Sequence, residues 1–215
     1  MWNERYAQPG FAYGTEPNEF LVEHAAALQS PVLSLAEGEG RNAVWLAAKG
    51  LAVTAVDASD VGLAKARALA VEHGIALGTG APGGSLVTVV ADLAEYAVVE
   101  SAWGSIVSIW CHVPPLVRRR LHAACVRGLV PGGVLLLEAY TPDQIARVAA
   151  SCSASTISSA LPLFATRLTI ERETLSSGLW IASRSRFRAA ATSRAFALPS
   201  RTITKPRSAP TSSIA

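Results

Sequence analysis

A glycine turn and a carboxylate are the features of this sequence best suited to binding chemistry. The turn, Gly38-Glu39-Gly40, follows an apolar run over residues 32–35 and precedes a segment with helical spacing. A strand that feeds a helix through glycines brings backbone N–H groups close to a ligand. The carboxylate is Asp57, which ends a second apolar run over residues 53–56. Together they predict a site for a nucleoside-containing cofactor.

Short apolar segments alternate with helical ones, and these elements must position the turn and the carboxylate. We expect strands over residues 32–35, 53–56, 87–90, 106–110 and 134–137. Strands that alternate with helices form a parallel sheet with both faces covered, so we predict an α/β fold with a doubly wound, mostly parallel, Rossmann-like sheet. In such a sheet the strand ends that carry the turn and Asp57 share one edge, where ligands bind.

Capping and breaking residues set the expected limits of the helices and turns. A helix is expected from Pro17 through Leu28, because its apolar residues recur at three-to-four spacing and Pro31 stops it. Three further helices are expected over 42–49, from a cap at Ser59 or Asp60 to Gly74, and from Pro114 or Pro115 to Leu129. We also predict a flexible loop over 78–85 and a tight turn over 131–133.

The composition indicates one folded domain in a reducing compartment. The chain has 215 residues and is 50% hydrophobic, which is enough for one α/β domain with a full core. No apolar run reaches the roughly 18 residues that span a membrane, and the polar, aromatic N-terminus lacks the apolar region of a secretory signal. Cys111, Cys125 and Cys152 form neither a CxxC pair nor a zinc spacing. We therefore expect a cytoplasmic protein without membrane association or bound metal.

Charge divides the chain into unequal parts. Residues 1–145 carry a net charge of −5 and residues 146–215 carry +8, which together give the formal +3. We predict a cofactor-binding domain with an aromatic N-terminal arm over 1–145, an atypical part over 146–198 with possible strands at 161–170 and 179–181, and a disordered basic tail over 199–215. A natural arm for anionic partners and a shifted reading frame both explain the tail's composition. The acidic balance of the first part argues against a nucleic-acid partner.

The motifs in combination resemble the class I S-adenosylmethionine (SAM)-dependent methyltransferases. The resemblance rests on the glycine turn, Asp57, Asp92 and the Pro-Gly-Gly turn. The segments YGTEPNEFL, EGEGRNAVWLA and VDAS are similar to the tellurite-resistance TehB-type and thiopurine-methyltransferase-type branch, which acts on small molecules. The resemblance covers residues 1–145 and implies the class I methyltransferase fold, whose antiparallel edge hairpin the later sequence does not clearly supply. Ser34 stands where the family often has an acid, and Ala36 where it has its first glycine.

This resemblance implies SAM as the cofactor and assigns residues to parts of it. The turn would surround the methionine part, Asp57 would bind the ribose, Asp92 with Leu93 would bind the adenine, and Trp110 would lie below the sulfonium. The full set of implied cofactor-binding residues is Glu37, Gly38, Glu39, Gly40, Asn42, Asp57, Ala58, Asp92, Leu93, Trp110 and Arg5. No catalytic residue is assigned, although His112 and Tyr13 are candidates.

Most of these residues also have a structural interpretation. Asp57 and Asp92 could cap helices, His112 could be a satisfied structural histidine, and Arg5 could be a solvated surface charge. Arg118-Arg119-Arg120 is more typical of a solvated helix face than of a nucleic-acid surface.

The implied activity is methyl transfer to a small-molecule acceptor by in-line displacement. A soft, already anionic sulfur, selenium or tellurium acceptor would need no strong base, which fits the absence of an evident base–nucleophile pair in the sequence. Gly38 to Ala43 also matches the G-x-G-x-x-A pattern of dinucleotide-binding oxidoreductases, with Asp57 at a plausible spacing. The remaining alternative is an inactive ligand-binding homologue with an incomplete C-terminus. The sequence leaves the acceptor and the oligomeric state open.

Overall fold

The computed structural model describes residues 1–79, 83–140, 166–171 and 182–183. The helices are α1 (Trp2–Tyr6), α2 (Glu19–His24), α3 (Arg41–Ala48), α4 (Asp60–Glu72) and α5 (Pro115–Gly128), and a 3₁₀ turn (Ala25–Ala27) follows α2. The strands are β1 (Val32–Leu35), β2 (Ala52–Asp57), β3 (Ala76–Leu77), β4 (Ser85–Val90), β5 (Trp103–Ile109), β6 (Leu129–Ala139), β7 (Thr166–Glu171) and β8 (Ala182–Ser183). The centre of the predicted 78–85 loop, the strand expected over 179–181 and the basic tail lie outside the described residues.

The strands form one sheet in the order β3-β4-β2-β1-β5-β6-β7-β8. All neighbours from β3 to β6 pair in parallel, whereas β7 pairs antiparallel with β6 and β8 pairs antiparallel with β7. This confirms the predicted doubly wound, mostly parallel α/β fold. The antiparallel edge left open by the sequence is present, and its first strand overlaps the segment expected over 161–170 and ends one residue beyond it. The strand order reverses at β1, so β1 and its loop lie at the switch point where open α/β sheets bind ligands.

Several strands are longer than their apolar cores because buried serines extend them. β4 begins at Ser85 and β5 at Trp103, both before the predicted starts. Ser105 is fully buried in β5, and its hydroxyl accepts a hydrogen bond from the Gln29 N–H at 2.8 Å. A serine with a satisfied hydroxyl is tolerated inside a strand, which a search for apolar runs does not detect.

The predicted tight turn over 131–133 is instead an irregularity inside β6. The pairing of β6 with β5 shifts from Trp103 opposite Leu129 to Ser105 opposite Val134. Gly132 takes a φ of +77° there, which suits glycine. The strand therefore starts earlier than expected and accommodates the extra residues as a bulge.

The core lies on both faces of the sheet. Two of the helices that cover it, α2 and α4, begin at residues whose side chains cap them. One apolar cluster packs α2, α3 and α4 on one face, and the second packs α5 on the other. The predicted helix after Pro17 is shorter than expected, with α2 followed by the 3₁₀ turn. Of the two predicted caps for α4, Ser59 is the one used, since its hydroxyl accepts the Gly62 N–H at 3.0 Å. These layers leave the carboxyl edge of the central strands for a site.

Candidate functional site

Asp57 joins the end of β2 to the glycine turn. Its Oδ2 accepts the Gly38 N–H at 2.8 Å and its Oδ1 accepts the Ser59 N–H at 2.8 Å. The residue is 7% exposed, while Ala58 beside it is exposed. An ionised carboxylate has about four acceptor positions, so each oxygen retains a lone pair for a ligand hydroxyl. Asp57 is thus a fixed, partly engaged acceptor at the switch point.

The turn requires glycine at two positions. Gly38 has a φ of +62°, and a Cβ there would lie 2.6 Å from the Tyr6 hydroxyl oxygen. Gly40 has a φ of +92°, and a Cβ there would lie 2.5 Å from the Ala66 Cβ. Ala36, which replaces the first glycine of the family pattern, also adopts a left-handed φ of +54°. The backbone therefore keeps the glycine-type conformation at Ala36 despite the change of residue.

Glu37 ties the turn to α3 from inside the fold. Its Oε1 accepts the N–H groups of Asn42 at 3.1 Å and Ala43 at 2.8 Å, and its Oε2 accepts the Ser34 hydroxyl. These bonds satisfy two N–H groups at the start of a helix that has no side-chain cap from Gly40. The Ser34–Glu37 pair therefore places a carboxyl group in the turn although position 34 lacks one. The cofactor contact predicted for Glu37 stays a prediction.

We expect Glu37→Gln to remove a pH dependence of stability. Burial raises the pKa of Glu37 above its ordinary value of 4.5. The folded chain then holds this proton more tightly than the unfolded chain, so the group's contribution is full at low pH and is lost as the pH rises through the folded pKa. Urea unfolding from pH 4.5 to about 8 should show that the free energy of unfolding of the variant increases relative to that of the wild type as the pH rises. Glu95→Gln, at an exposed position, is the matched control, and a constant difference between Glu37→Gln and wild type would contradict the expectation.

Glu39 points away from Glu37 and binds the N-terminal arm, which we define as residues 1–15. Its Oε2 accepts the Ala12 N–H at 2.6 Å, and its Oε1 pairs with the Lys65 ammonium at 2.8 Å. The same ammonium donates to the carbonyl oxygens of Gln8 at 2.9 Å and Gly10 at 2.6 Å. All three Lys65 donors are thus used to hold the arm to the turn.

The first helix of the arm packs on the start of α4. Asn3 accepts the Ser59 hydroxyl at 2.6 Å and donates to the Asp60 carboxylate at 2.7 Å. Tyr6 is buried, and both this burial and the neighbouring Asp57 raise its pKa. Its hydroxyl is therefore protonated at neutral pH where it meets Gly38.

Arg5 and Tyr13 lie together in the arm. The Arg5 guanidinium carbon lies 4.9 Å from the centre of the Tyr13 ring, a cation–π arrangement. The Tyr13 carbonyl oxygen accepts from the Arg41 guanidinium at 3.3 Å. Arg5 therefore contacts an aromatic ring and is not only a solvated charge. Its predicted contact with a cofactor carboxylate stays a prediction.

Asn42 belongs to a polar chain that sequence reasoning only partly identified. Its Oδ1 accepts the Asn18 N–H at 2.9 Å, and the Asn18 side-chain amide donates to Glu138 Oε2 at 2.7 Å. Glu138 is 1% exposed near the end of β6. The sequence prediction did not include Asn18, Glu138 or Lys65 among the site residues. Glu138 could have been suggested, because it is a carboxylate that follows an apolar strand core, as Asp57 does.

The loop after β4 places Asp92 and Leu93 at the same edge. Asp92 is exposed, and its Oδ1 accepts the Ala94 N–H at 2.8 Å, while Leu93 is buried. The Ala91 N–H donates to the Asp57 carbonyl oxygen at 2.9 Å, which joins the ends of β2 and β4. Arg120 donates to the carbonyl oxygens of Leu93, at 3.1 Å, and Ala94. Arg120 therefore supports this loop while remaining exposed, as are Arg118 and Arg119 on the same helix.

The end of β5 carries a group of stacked rings. Trp110 takes a φ of +56°, which is unusual for a bulky residue, and its ring centre lies 4.6 Å from that of Tyr140. The His112 ring stacks on Tyr140 at 5.5 Å. Strained backbone of this kind is often found at functional sites.

A cavity of about 240 Å³ opens beside these rings, between β5, β6 and α5. It is lined by Ser108, Cys111, His112, Val113, Arg118, His122, Leu137, Glu138, Ala139 and Tyr140. Desolvation lowers the pKa of His112, and burial raises the pKa of Cys111 to about 11. Both groups are therefore neutral near pH 7.

The structure brings the turn, Asp57, Asp92 and Trp110 to the carboxyl ends of four adjacent strands. In the described part of the chain, no group of three His, Cys, Asp or Glu side chains is arranged to hold a metal ion. Among the same residues, no helix is both long and apolar enough to cross a membrane.

Residues 32–133 match the family of methyltransferase domains. Such a domain implies SAM as the cofactor, in agreement with the resemblance. No curated protein matches the chain.

Solved structures provide the comparison of folds. A structure described for the conversion of a disulfide bond into a thioacetal group during echinomycin biosynthesis is 24% identical, with a TM-score of 0.50 over 63% of this chain and 57% of that one. A SAM-dependent methyltransferase from Methanosarcina mazei is 22% identical, with a TM-score of 0.46 over 58% of each chain. The glycopeptide N-methyltransferase MtfA, complexed with SAM, is 29% identical, with a TM-score of 0.46 over 60% of this chain and 52% of that one.

The present chain spans less than two thirds of each of these structures. The first comparison shows a shared fold, in agreement with the mostly parallel α/β sheet described above.

Proposed function

We propose that this chain, which has the class I methyltransferase fold, is a SAM-dependent methyltransferase of a small-molecule acceptor. The observation that carries the proposal is the fixed carboxylate of Asp57. It is bonded to the Gly38 N–H of the turn and to the Ser59 N–H, and each of its oxygens retains a lone pair. The matching methyltransferase domain over 32–133 supports it. We place the chain in the TehB-type and thiopurine-methyltransferase-type branch because of the sequence segments that it shares with them.

The residues present fit the cofactor. The turn after β1, with left-handed backbone at Gly38 and Gly40, suits the methionine part, and Asp57 suits a ribose diol, since a carboxylate accepts two hydroxyl hydrogen bonds. Asp92 and the buried Leu93 would bind the adenine, and Arg5 would bind the carboxylate of the methionine part. When bound, SAM supplies a methyl group on a sulfonium, which is a very good leaving group.

The chain's own contribution is mainly to orient and to exclude water. Holding two reactants in line lowers the barrier by roughly 7–11 kcal/mol in well-aligned reactions. A soft acceptor that is already anionic has no proton to lose, so it requires no strong base. Sulfur, selenium and tellurium are the acceptor atoms we infer. An acceptor with a proton to lose could give it to the neutral His112 ring, whose pKa is lowered. Tyr13, the other catalytic candidate, lies in the arm.

A cytoplasmic location is part of the proposal. Cys111 and Cys125 are free thiols in the described part of the chain, and burial raises the pKa of both. Protonated, buried thiols are compatible with a reducing compartment.

Calorimetric titration tests the proposal against the dinucleotide alternative. We expect S-adenosylhomocysteine (SAH) and SAM to bind with micromolar dissociation constants and NAD(H) to show no saturable binding. An aromatic arm before β1 and the absence of an evident hydride-transfer residue disfavour the oxidoreductase. Binding of NAD(H) alone would overturn the proposal, and the absence of binding by any of the three would favour an inactive homologue.

A further inference from the structure

The cavity beside β5 and β6 has one face that differs in charge from the rest of the site. It lies on the α5 side of the sheet, where Leu135 of β6 packs with Leu121 of α5. Arg118 and His122, four residues apart on α5, both line it. The first turns of α5 thus form one wall, and the ends of β5 and β6 form the other.

The Glu138 carboxylate lines the cavity and contributes to the raised pKa of Tyr140, but the hydrogen bond that engages its Oε2 comes from the α2 side of the sheet. Leu136 packs with Phe20 on the α2 side of the sheet. Alternate residues of a strand face the same side, so Glu138 follows Leu136 toward α2. The hydrogen bond from Asn18, the cap of α2, to Glu138 Oε2 at 2.7 Å agrees with this direction.

The other polar groups of the cavity are neutral near pH 7. Desolvation lowers the pKa of both His112 and His122, and the neighbouring Arg118 lowers that of His122 further. Burial raises the pKa of Cys111 to about 11 and also raises that of Tyr140. Among the described residues that line the cavity, Arg118 is therefore the cation, Glu138 follows Leu136 toward α2, and the other polar side chains are neutral.

The three consecutive arginines differ in what they bind. Arg120 donates to the carbonyl oxygens of Leu93 and Ala94. Within the described residues, the Arg118 guanidinium makes neither a hydrogen bond nor an ion pair, although it lines the cavity. Arg119 is likewise exposed but does not line it. Arg119 is therefore a matched control for Arg118, with the same charge on the same helix.

We propose that this cavity is the acceptor subsite and that it takes a small acceptor with an anionic group, which Arg118 binds. The inference rests on the proposed function, because only a cofactor at the adjacent turn makes the cavity an acceptor subsite. The volume of about 240 Å³ limits the acceptor to a small molecule, and the stacked Tyr140 and His112 rings favour a planar one. A guanidinium binds a carboxylate or similar oxyanion through paired hydrogen bonds.

The test compares benzoate with the neutral benzamide, which has nearly the same shape. Saturation-transfer NMR titrations are run with the full chain, with and without SAH. We expect benzoate to bind about fivefold more tightly than benzamide, which is the upper end of what an exposed charge pair contributes. Arg118→Gln should reduce that ratio to within about twofold, whereas Arg119→Gln should leave it unchanged. Interligand NOEs between benzoate and SAH should place the two side by side.

Separate readouts distinguish this proposal from the proposed function. The SAH titration reports on the cofactor alone, and the benzoate preference without SAH reports on the cavity alone. Equal binding of benzoate and benzamide, or an equal loss in Arg119→Gln, would overturn the anionic acceptor class. Benzoate binding without NOEs to bound SAH would overturn the acceptor subsite while leaving the methyltransferase proposal in place. Failure of SAH to bind would overturn the proposed function, regardless of whether benzoate binds.

Discussion

Replacing Asp57 with alanine should raise the dissociation constant of SAH at least about 100-fold. The variant loses the acceptor that we assign to the ribose, and two hydrogen bonds to a charged group contribute about 1.5–3 kcal/mol each. The lower end, about 3 kcal/mol in total, corresponds to this factor. Calorimetric titration of the purified variant measures it directly.

The control must separate binding from folding, because Asp57 also holds the Gly38 and Ser59 N–H groups. Asp57→Asn keeps one acceptor oxygen, so it should retain more stability and show an intermediate affinity. Asp92→Ala removes an exposed carboxylate and should weaken binding less than Asp57→Ala. A folded Asp57→Ala with unchanged SAH affinity would show that the ribose assignment is wrong.

Replacing Lys65 with methionine should release the N-terminal arm. The change removes the donor to Gln8, Gly10 and Glu39 and leaves the Glu39 carboxylate, which is 4% exposed, without its cation. Loss of one partner from a fully buried pair costs 3–5 kcal/mol, but the Lys65 side chain is 25% exposed, so we expect about 2 kcal/mol. Trypsin cleavage after Arg5, followed by mass spectrometry, should become at least about tenfold faster.

Lys49→Met is the matched control for this experiment. Lys49 is exposed just after the C-terminal end of α3 and lies 5.3 Å from the Trp45 ring, whereas the contact of α3 with the arm is made by Arg41 at the other end of the helix. Its replacement should leave the cleavage rate after Arg5 unchanged. The double variant Lys65→Met, Glu39→Gln should recover part of the lost stability, because it removes the unpaired charge. Equal cleavage rates in Lys65→Met and wild type would show that the arm is held by its apolar contacts instead.

The central fold could be predicted because its signals are local. The apolar run before Gly38 and the carboxylate after the next run define β1, the turn and β2 within a short stretch, and the alternation of strand and helix then dictates a parallel sheet. The ends of strands were less predictable where a buried polar side chain is hydrogen-bonded to a residue far away in the sequence. Ser105 extends β5 because a backbone N–H from Gln29 satisfies it, and that partner is far away in the sequence.

The side chains of the site were harder to predict than its position. Glu37 and Glu39 flank the same glycine and look alike in the sequence, yet one caps α3 and the other binds Lys65 and the arm. Their directions depend on left-handed residues in the turn, including Ala36, which sequence patterns assign to glycine. Asn18 and Glu138 meet only because the start of α2 lies beside the end of β6, which is a tertiary contact without a local signal.

The contact between the turn and α4 limits how this chain could be engineered. A Cβ at Gly62 would lie 2.9 Å from the Gly38 carbonyl oxygen, and the Gly40 position meets Ala66 one turn further along the same helix. Turn and helix therefore touch through backbone and methyl groups, and the Tyr6 side chain packs against Gly38 and Gly62 at the same contact. A library that varies the turn to accept a modified cofactor must vary 62 and 66 at the same time, and most productive combinations should keep small residues at both.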